Sequence, residues 1–305
     1  MVEHYSRMGQ MVNIVNRHNA PGPLIRYASQ NHYDSGNSDF TATSLDDEPR
    51  IRVLMDQYGD QSEDDPYENP WKYLSTIFHA LLAEESSSKN GEVSEERIFT
   101  EFNGMKISGA MDLQRVAVAP DGTKSVIIGD YKLCSVFALK DMAKWVNQLN
   151  VYAWLIEREK PDHRVIGLEV YAFLRDWSMS TSERRDDYPR TPGQTIDIPL
   201  WHYDDREEYV AHRIAAHLEA EEELPLCSEE GRWPSGKNWR VWSGNSVHGV
   251  YELKRDAVSE SNSLENSLVE PVVGRYRRCQ NFCPVSSFCD QYAEHLRGRE
   301  PGYSG

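Results

Sequence analysis

The chain has 305 residues, 39% of them hydrophobic and 27% charged, enough for one large core or a core domain with a smaller appendage. A mean hydropathy of −0.67, with no unbroken apolar run of membrane length, excludes a spanning helix. Lysine and arginine total 33 against 49 aspartates and glutamates, and a net charge of −16 excludes a general polyanion binder.

The first thirty residues mix His18, Asn19, Pro21 and Arg26 and offer no apolar stretch of the secretory kind, so a soluble, cytoplasmic protein is expected. Residues 32–70 hold eleven acids against Arg50 and Arg52, a local charge of −9. A short helix is predicted at 47–58, with Asp46 and Asp47 as caps and Ile51, Leu54 and Met55 on one face. From Asn69–Pro70 a second helix runs to Glu85. Leu74, Ile77, Phe78, Leu81 and Leu82 recur in it at helical spacing, and Ser86–Gly91 ends it.

Strands follow. Ser94–Phe102 and Met105–Val118 are separated by the turn Asn103–Gly104, and Asp121–Gly122 precedes Ser125–Lys132. A long helix is predicted from Leu139 to Glu159, closed by Pro161, and then a buried strand at Val165–Leu174. Asp204–Glu223 reads as an amphipathic helix. Residues 228–250 read as loop with at most a short hairpin, and Asp256–Leu268 as a polar helix. The segments expected are a polar and acidic 1–68, an α/β core at 69–180, and a helical, cysteine-bearing 181–305.

The chemistry concentrates in one hairpin. With its turn near Pro120–Thr123, paired residues have indices summing to about 242, which sets Asp112 opposite position 130. Two unscreened carboxylates side by side are costly, and a divalent cation between them removes the cost; oxygen ligands suit Mg²⁺ or Mn²⁺. Lys132 projects from the same strand face as Asp130, where its side chain can orient a water, deprotonate it as the neutral amine, or as the ammonium stabilise charge on a phosphorane. The bland alternative is a surface hairpin with scattered charges. Against it stands the combination: a Gly109-Ala110-Met111-Asp112 strand, a turn, Asp130-Tyr131-Lys132, then a helix with Gln148 and Tyr152 on one face.

These motifs, with His79 upstream in Ser75-Thr76-Ile77-Phe78-His79 and the helical run Gln148-Leu149-Asn150-Val151-Tyr152, resemble the RecB-like branch of the PD-(D/E)xK nuclease superfamily. That branch includes the CRISPR-associated and AddB-type exonucleases and related phage proteins. The resemblance covers residues 70–160. It implies an α/β fold, a restriction-endonuclease-like core of a central mixed sheet flanked by helices, in a bacterial or phage-infected cell. It implies that His79, Asp112, Asp130 and the Tyr131 carbonyl bind Mg²⁺ or Mn²⁺. Lys132 is then catalytic, and Gln148 and Tyr152 support the site and contact DNA. The implied activity is metal-dependent hydrolysis of DNA ends or single strands in recombination, repair or phage DNA processing. One departure stands out: Ser75 and Thr76 occupy the turn where a glycine commonly precedes the histidine, and His79 alone could be a core histidine.

The five cysteines are Cys134, Cys227, Cys279, Cys283 and Cys289, an odd number that argues against a disulfide framework. The last three fall within eleven residues. They are buried thiols, zinc ligands or iron–sulfur ligands, and spacing does not choose. The resemblance implies a C-terminal 4Fe-4S cluster segment, although the upstream cysteine typical of that branch has no counterpart before Cys134. Cys227, at a helix end after Pro225, is the expected fourth ligand, with Cys134 or a non-cysteine group as the alternatives.

For DNA contact the candidates are Arg275, Arg277 and Arg278, in a stretch of net charge +3 over 271–299. Trp145, Trp154 and Trp177 are expected in the core. Trp233, Trp239 and Trp242, near Lys237 and Arg240, either grip a single strand or cap the tail. His202, His212 and His217 read as surface residues. No G-x-x-x-x-G-K-[ST] loop is present, so unwinding would fall to a partner helicase or recombination protein. Two other readings share these residues: a catalytically silent DNA-binding or recombination-partner module, and a site-specific endonuclease.

Overall fold

The computed structural model describes residues 12–30, 35–86 and 90–302. The first eleven residues, Asp34 of the acidic run and part of the helix stop Ser86–Gly91 lie outside them. In chain order, the longer elements begin with helices α1 (Pro49–Tyr58) and α2 (Pro70–Glu85). Strands β1 (Glu96–Phe102), β2 (Met105–Met111), β3 (Leu113–Val118) and β4 (Lys124–Cys134) follow, then helix α3 (Ala143–Glu159) and strands β5 (His163–Leu174) and β6 (Gly193–Ile198). The remainder is helix α4 (Tyr203–Glu222), strands β7 (Pro234–Ser243) and β8 (Ser246–Tyr251), helix α5 (Lys254–Ser261), strand β9 (Ser267–Tyr276) and helix α6 (Asp290–Arg297). The chain is α/β, with mixed and antiparallel sheets flanked by helices. No helix among the described residues is long and apolar enough to cross a membrane.

Two compact units emerge: Ile14–Asp46 with Asp64–Leu218, and Asp47–Glu63 with the chain from Glu219 on. The polar segment 1–68 is therefore shared between units, and the first unit extends to Leu218 where the sequence places a core ending at 180.

In the first unit a five-stranded mixed sheet has the order β6-β5-β4-β3 and then the short strand Glu92–Val93. β4 and β5 run parallel, joined by α3. A parallel pair needs such a crossover, because a tight turn can join only antiparallel neighbours. The remaining pairs are antiparallel. A second sheet orders Phe40–Thr41, β2 and β1. Val126 and Ile128 of β4, Val165, Leu168 and Val170 of β5, and Ile107 and Met111 of β2 share a core with α3, whose residues from Leu149 to Ile156 are all buried. Asn150 lies fully inside but satisfied. Its amide donates to the carbonyls of Val146 (2.8 Å) and Pro199 (2.9 Å) and accepts from the Trp201 N–H (2.9 Å).

Several expectations are corrected. The strand expected over Met105–Val118 breaks at Asp112, where the chain passes from one sheet to the other. Helix α3 begins at Ala143 rather than Leu139, because Val136–Lys140 winds as a separate 3₁₀ turn capped by the Ser135 hydroxyl. β6 is a strand that the sequence does not announce. Helix α2 keeps its predicted span, yet of its described residues only Tyr73 is buried, and Leu74, Ile77 and Leu81 face outward. His217 is fully buried with its Nε2 3.1 Å from the Leu45 carbonyl, while His202 and His212 are exposed as expected.

The second unit holds an antiparallel sheet of order β8-β7-β9 against which α5 packs. Residues 228–250 are thus mostly strand, and the polar helix stops at Ser261, giving way to β9. Helix α1 starts with Pro49 at its first turn, and neither Asp46 nor Asp47 caps it; Glu48 is the N-cap residue and makes no side-chain cap. Leu54, Val285 and Cys289 form a small core with Ile51, Met55 and Phe288.

Candidate metal centre

The β3–β4 register pairs Leu113 with Gly129 and Gln114 with Ile128, so indices sum to 242 as the hairpin predicts. Asp112 and Asp130 stand one step beyond that ladder, at the point where β2 ends and β3 begins. Both are buried. Asp112 accepts the Tyr131 backbone N–H at 2.7 Å through Oδ2, and its Oδ1 lies 3.2 Å from His79 Nδ1. The carboxylate is thereby pinned between helix α2 and strand β4.

Lys132 Nζ sits 2.7 Å from Asp130 Oδ2 and donates to Gln148 Oε1 at 3.0 Å. Gln148 Nε2 in turn donates to the Tyr152 hydroxyl at 2.7 Å. A chain of polar groups thus runs from the buried carboxylate to helix α3. That helix can approach closely because position 109 is glycine: a Cβ there would meet the Tyr152 ring at 2.7 Å and Leu155 at 2.8 Å. The G-x-x-D spacing therefore has a packing origin in addition to its place beside the carboxylate. The seven residues singled out in the first unit, His79, Asp112, Asp130, Tyr131, Lys132, Gln148 and Tyr152, lie in one continuous neighbourhood.

One acid in that neighbourhood escapes the sequence motifs. Ligand atoms of His79, Glu95 and Asp112 all lie within 4.8 Å of one another. Glu95 precedes β1 with φ +52°, a left-handed conformation that costs a non-glycine residue free energy. Its carboxyl is raised above the ordinary range by burial and then by the Asp112 charge. Nothing in the local sequence distinguishes it from Glu92 or Glu96, because its proximity to Asp112 arises only from tertiary pairing.

Burial raises the Asp130 carboxyl well above the usual range. The Lys132 ammonium pulls the other way, and the Asp112 charge adds to the rise. For His79, burial works to lower the pKa, but the hydrogen bond and charge of Asp112 win and leave it raised. Desolvation, and then the two carboxylates, also push the Tyr152 phenol upward, so it stays neutral and a donor or acceptor at any physiological pH. The His79 nitrogen and the Glu95 and Asp112 carboxylate oxygens are a donor set that suits a hard or borderline divalent cation, whereas Asp130, turned to Lys132, completes no such group of three with them.

A stability prediction follows from the sign of the Asp130 shift. A folded-state pKa raised above the unfolded value means that the folded chain binds the proton more tightly. Its penalty is then fully present above the raised pKa and disappears as pH falls below the unfolded value. Asp130→Asn should therefore stabilise the cation-free protein at neutral pH, by about 1 kcal/mol or about 2–4 °C in melting temperature. Lys132 retains Gln148 as a partner in that variant. Thermal melts in chelator check this, and a lowered melting temperature contradicts it.

The cysteines occupy another place. Cys227, Cys279, Cys283 and Cys289 line one cavity in the second unit with Arg50, Arg232 and Arg278, whereas Cys134 ends β4 in the first unit. Burial, with Glu48 and the other three cysteines adding, pushes the Cys227 thiol up to about 12; burial likewise takes Cys283 up to about 11. Gln291 holds Cys227 by both backbone groups, donating to its carbonyl and accepting its N–H at 3.0 Å each. Arg50 donates to the Cys289 sulfur at 3.4 Å and pairs with Asp290. The four thiols share this cavity with three guanidinium groups, although among the described residues no three of the sulfurs lie within 4.8 Å of one another.

The proposed basic patch is corrected in part. Arg278 is buried and bound to Asp47 at 2.7 Å, which leaves Arg275 and Arg277 on the surface. Trp233, Trp239 and Trp242 belong to β7 and the turn before it, where Lys237 and Lys254 flank the Trp239 ring. Trp154 is fully buried, with Trp145 and Trp177 packed against the same core, as expected.

No family model matches the chain, and no curated protein does. Among solved structures, the crystal structure of SSO0001 is similar over 63% of this chain and 81% of that one, with a TM-score of 0.41 and 15% identity.

Proposed function

We propose that this protein is a divalent-cation-dependent deoxyribonuclease of the PD-(D/E)xK type, of the RecB-like branch, acting exonucleolytically on DNA ends or single strands. The observation that carries the reading is the linked set His79–Asp112 and Asp130–Lys132–Gln148–Tyr152, assembled on a hairpin and on the helix that crosses between parallel strands β4 and β5.

His79, Asp112, Asp130 and the Tyr131 carbonyl would hold Mg²⁺ or Mn²⁺, with Glu95 as a further ligand. When bound, such a cation supplies Lewis acidity at the phosphate and lowers the pKa of a coordinated water. Lys132, fixed between Asp130 and Gln148, orients the attacking water in line with the scissile bond and offsets charge on the phosphoryl oxygens. The water oxygen forms a bond to phosphorus as it gives up a proton to solvent, the bond to the leaving deoxyribose oxygen breaks, and that oxygen takes up a proton from solvent. Tyr152, neutral and tied to Gln148, holds the relay in position. A 4Fe-4S cluster, or else Zn²⁺, on Cys227, Cys279, Cys283 and Cys289 would be structural. A helicase or recombination protein is the natural partner for an end-processing enzyme that lacks an NTP-binding loop.

The test of function is release of label from a single-stranded oligonucleotide in Mn²⁺, with none in chelator; no release under either condition contradicts it. For the added ligand, Glu95→Gln should weaken Mn²⁺ affinity by about tenfold or more in calorimetric titration. An unchanged affinity would remove Glu95 from the centre.

A further inference from the structure

Helix α2 carries His79 toward the carboxylates yet leaves much of its apolar surface outside. Trp71, near its start, is 41% exposed, and the Arg175 guanidinium stands over its ring at 4.9 Å. Nearer the metal centre, two turns along the helix from Trp71, a group of rings packs together. His79 and Tyr131 rings approach to 6.1 Å, Phe78 meets Tyr131 at 6.4 Å, and Phe78 meets Phe173 edge-on at 4.7 Å. Arg175 follows Phe173 by two residues, and its N–H donates to the Cys134 carbonyl at the end of the catalytic strand (2.9 Å).

A second exposed ring lies at the same edge. Phe137 is 66% exposed, with Lys140 Nζ 5.6 Å from its centroid. The turn that carries it is tied to Asp176, next to Arg175, by the Ser135 hydroxyl (2.5 Å) and the Val136 N–H (2.8 Å). Two aromatic rings, each paired with a cation, thus stand beyond Lys132 where β4 and β5 end. Single exposed rings are ordinary, but rings grouped at one edge, each beside a cation, point to a binding surface. Paired with cations, they match the alternation of flat bases and phosphates in an unpaired strand. In a chain of net charge −16, cations placed beside rings next to a phosphate-directed centre select a polyanion with stackable faces.

We propose that this edge is a stacking shelf for unpaired bases. One base lies on Trp71 and another on Phe137, with Arg175 and Lys140 meeting the adjoining phosphates as a single DNA strand is led past the metal centre. The inference rests on the nuclease reading for the identity of its ligand. It goes further in assigning a subsite, and a preference for unpaired over paired DNA, to named residues. A duplex keeps its base faces stacked internally and cannot use the rings.

The test is equilibrium binding by fluorescence anisotropy, with Ca²⁺ in place of Mg²⁺, of a labelled oligothymidylate and of a blunt hairpin duplex. Trp71→Ala and Phe137→Ala should each weaken oligothymidylate binding by about 5- to 100-fold and alter duplex binding by less than about twofold. Trp71→Tyr, which keeps a stacking face, should restore most of the affinity. Wild-type affinity in both alanine variants overturns the shelf, as does an equal loss for duplex, or a wild-type protein that binds neither DNA. A dimer dispersed by Trp71→Ala would give the face to a second copy of the chain and also overturn it. Because the readout is binding, it is separable from cleavage. Ring-dependent binding without metal-dependent hydrolysis would sink the nuclease reading and keep the shelf, and hydrolysis with ring-independent binding would do the reverse.

Discussion

Replacing Lys132 with alanine, or Asp112 with asparagine, should reduce DNA cleavage by about 10³-fold or more while the protein still folds. Lys132 is held by Asp130 and Gln148 at 2.7 and 3.0 Å, so its ammonium is fixed before substrate arrives, and loss of one such preorganised charge typically costs two to three orders of magnitude. Asp112 acts twice, accepting the Tyr131 N–H and facing His79. Asparagine keeps the shape but not the charge that a divalent cation requires. Neither change opens a cavity in the apolar core, so circular dichroism and gel filtration should match wild type. Near-wild-type cleavage by both variants would remove the centre from the chemistry.

The second large effect is expected at the cysteines. Protein prepared without oxygen should be brown, with broad visible absorbance that disappears in Cys283→Ser. The apolar cluster around Leu54 and Val285 is small, so a metal group on four thiolates would supply much of the local stability, on the order of several kcal/mol. Arg50, Arg232 and Arg278 around the cavity would offset its negative charge. Cys283→Ser should therefore melt earlier and become sensitive to proteolysis near residues 227–290. A colourless protein with one equivalent of zinc keeps the thiolate clamp and rejects iron. Protein with no metal at all rejects both.

The hairpin was legible because its information is local: a turn at Asp121–Gly122 fixes the register, and register fixes which residue faces Asp112. The break at Asp112 was not, since Met105–Val118 reads as one apolar-rich strand and only the partners on either side reveal two sheets. Glycine, serine and tryptophan between 228 and 250 suggest loop, yet Trp239 and Trp242 lie in a strand whose neighbour contains Pro271. Proline is tolerated there because β9 is an edge strand. Periodicity on α2 located the helix but could not say that Leu74, Ile77 and Leu81 face away from the core. Arg278 and His217 read as surface residues because composition does not display a buried partner such as Asp47 or the Leu45 carbonyl. Glu95 joins the carboxylates through the same kind of long-range contact.

The most direct test of the central claim compares linear single-stranded DNA with a closed circle of the same sequence, in Mn²⁺ and in chelator. Wild-type protein should degrade the linear strand only with metal, leave the circle intact, and lose the activity in Lys132→Ala. A protein that binds the linear strand but never hydrolyses it, or that cuts the circle as fast as the linear strand, contradicts the account.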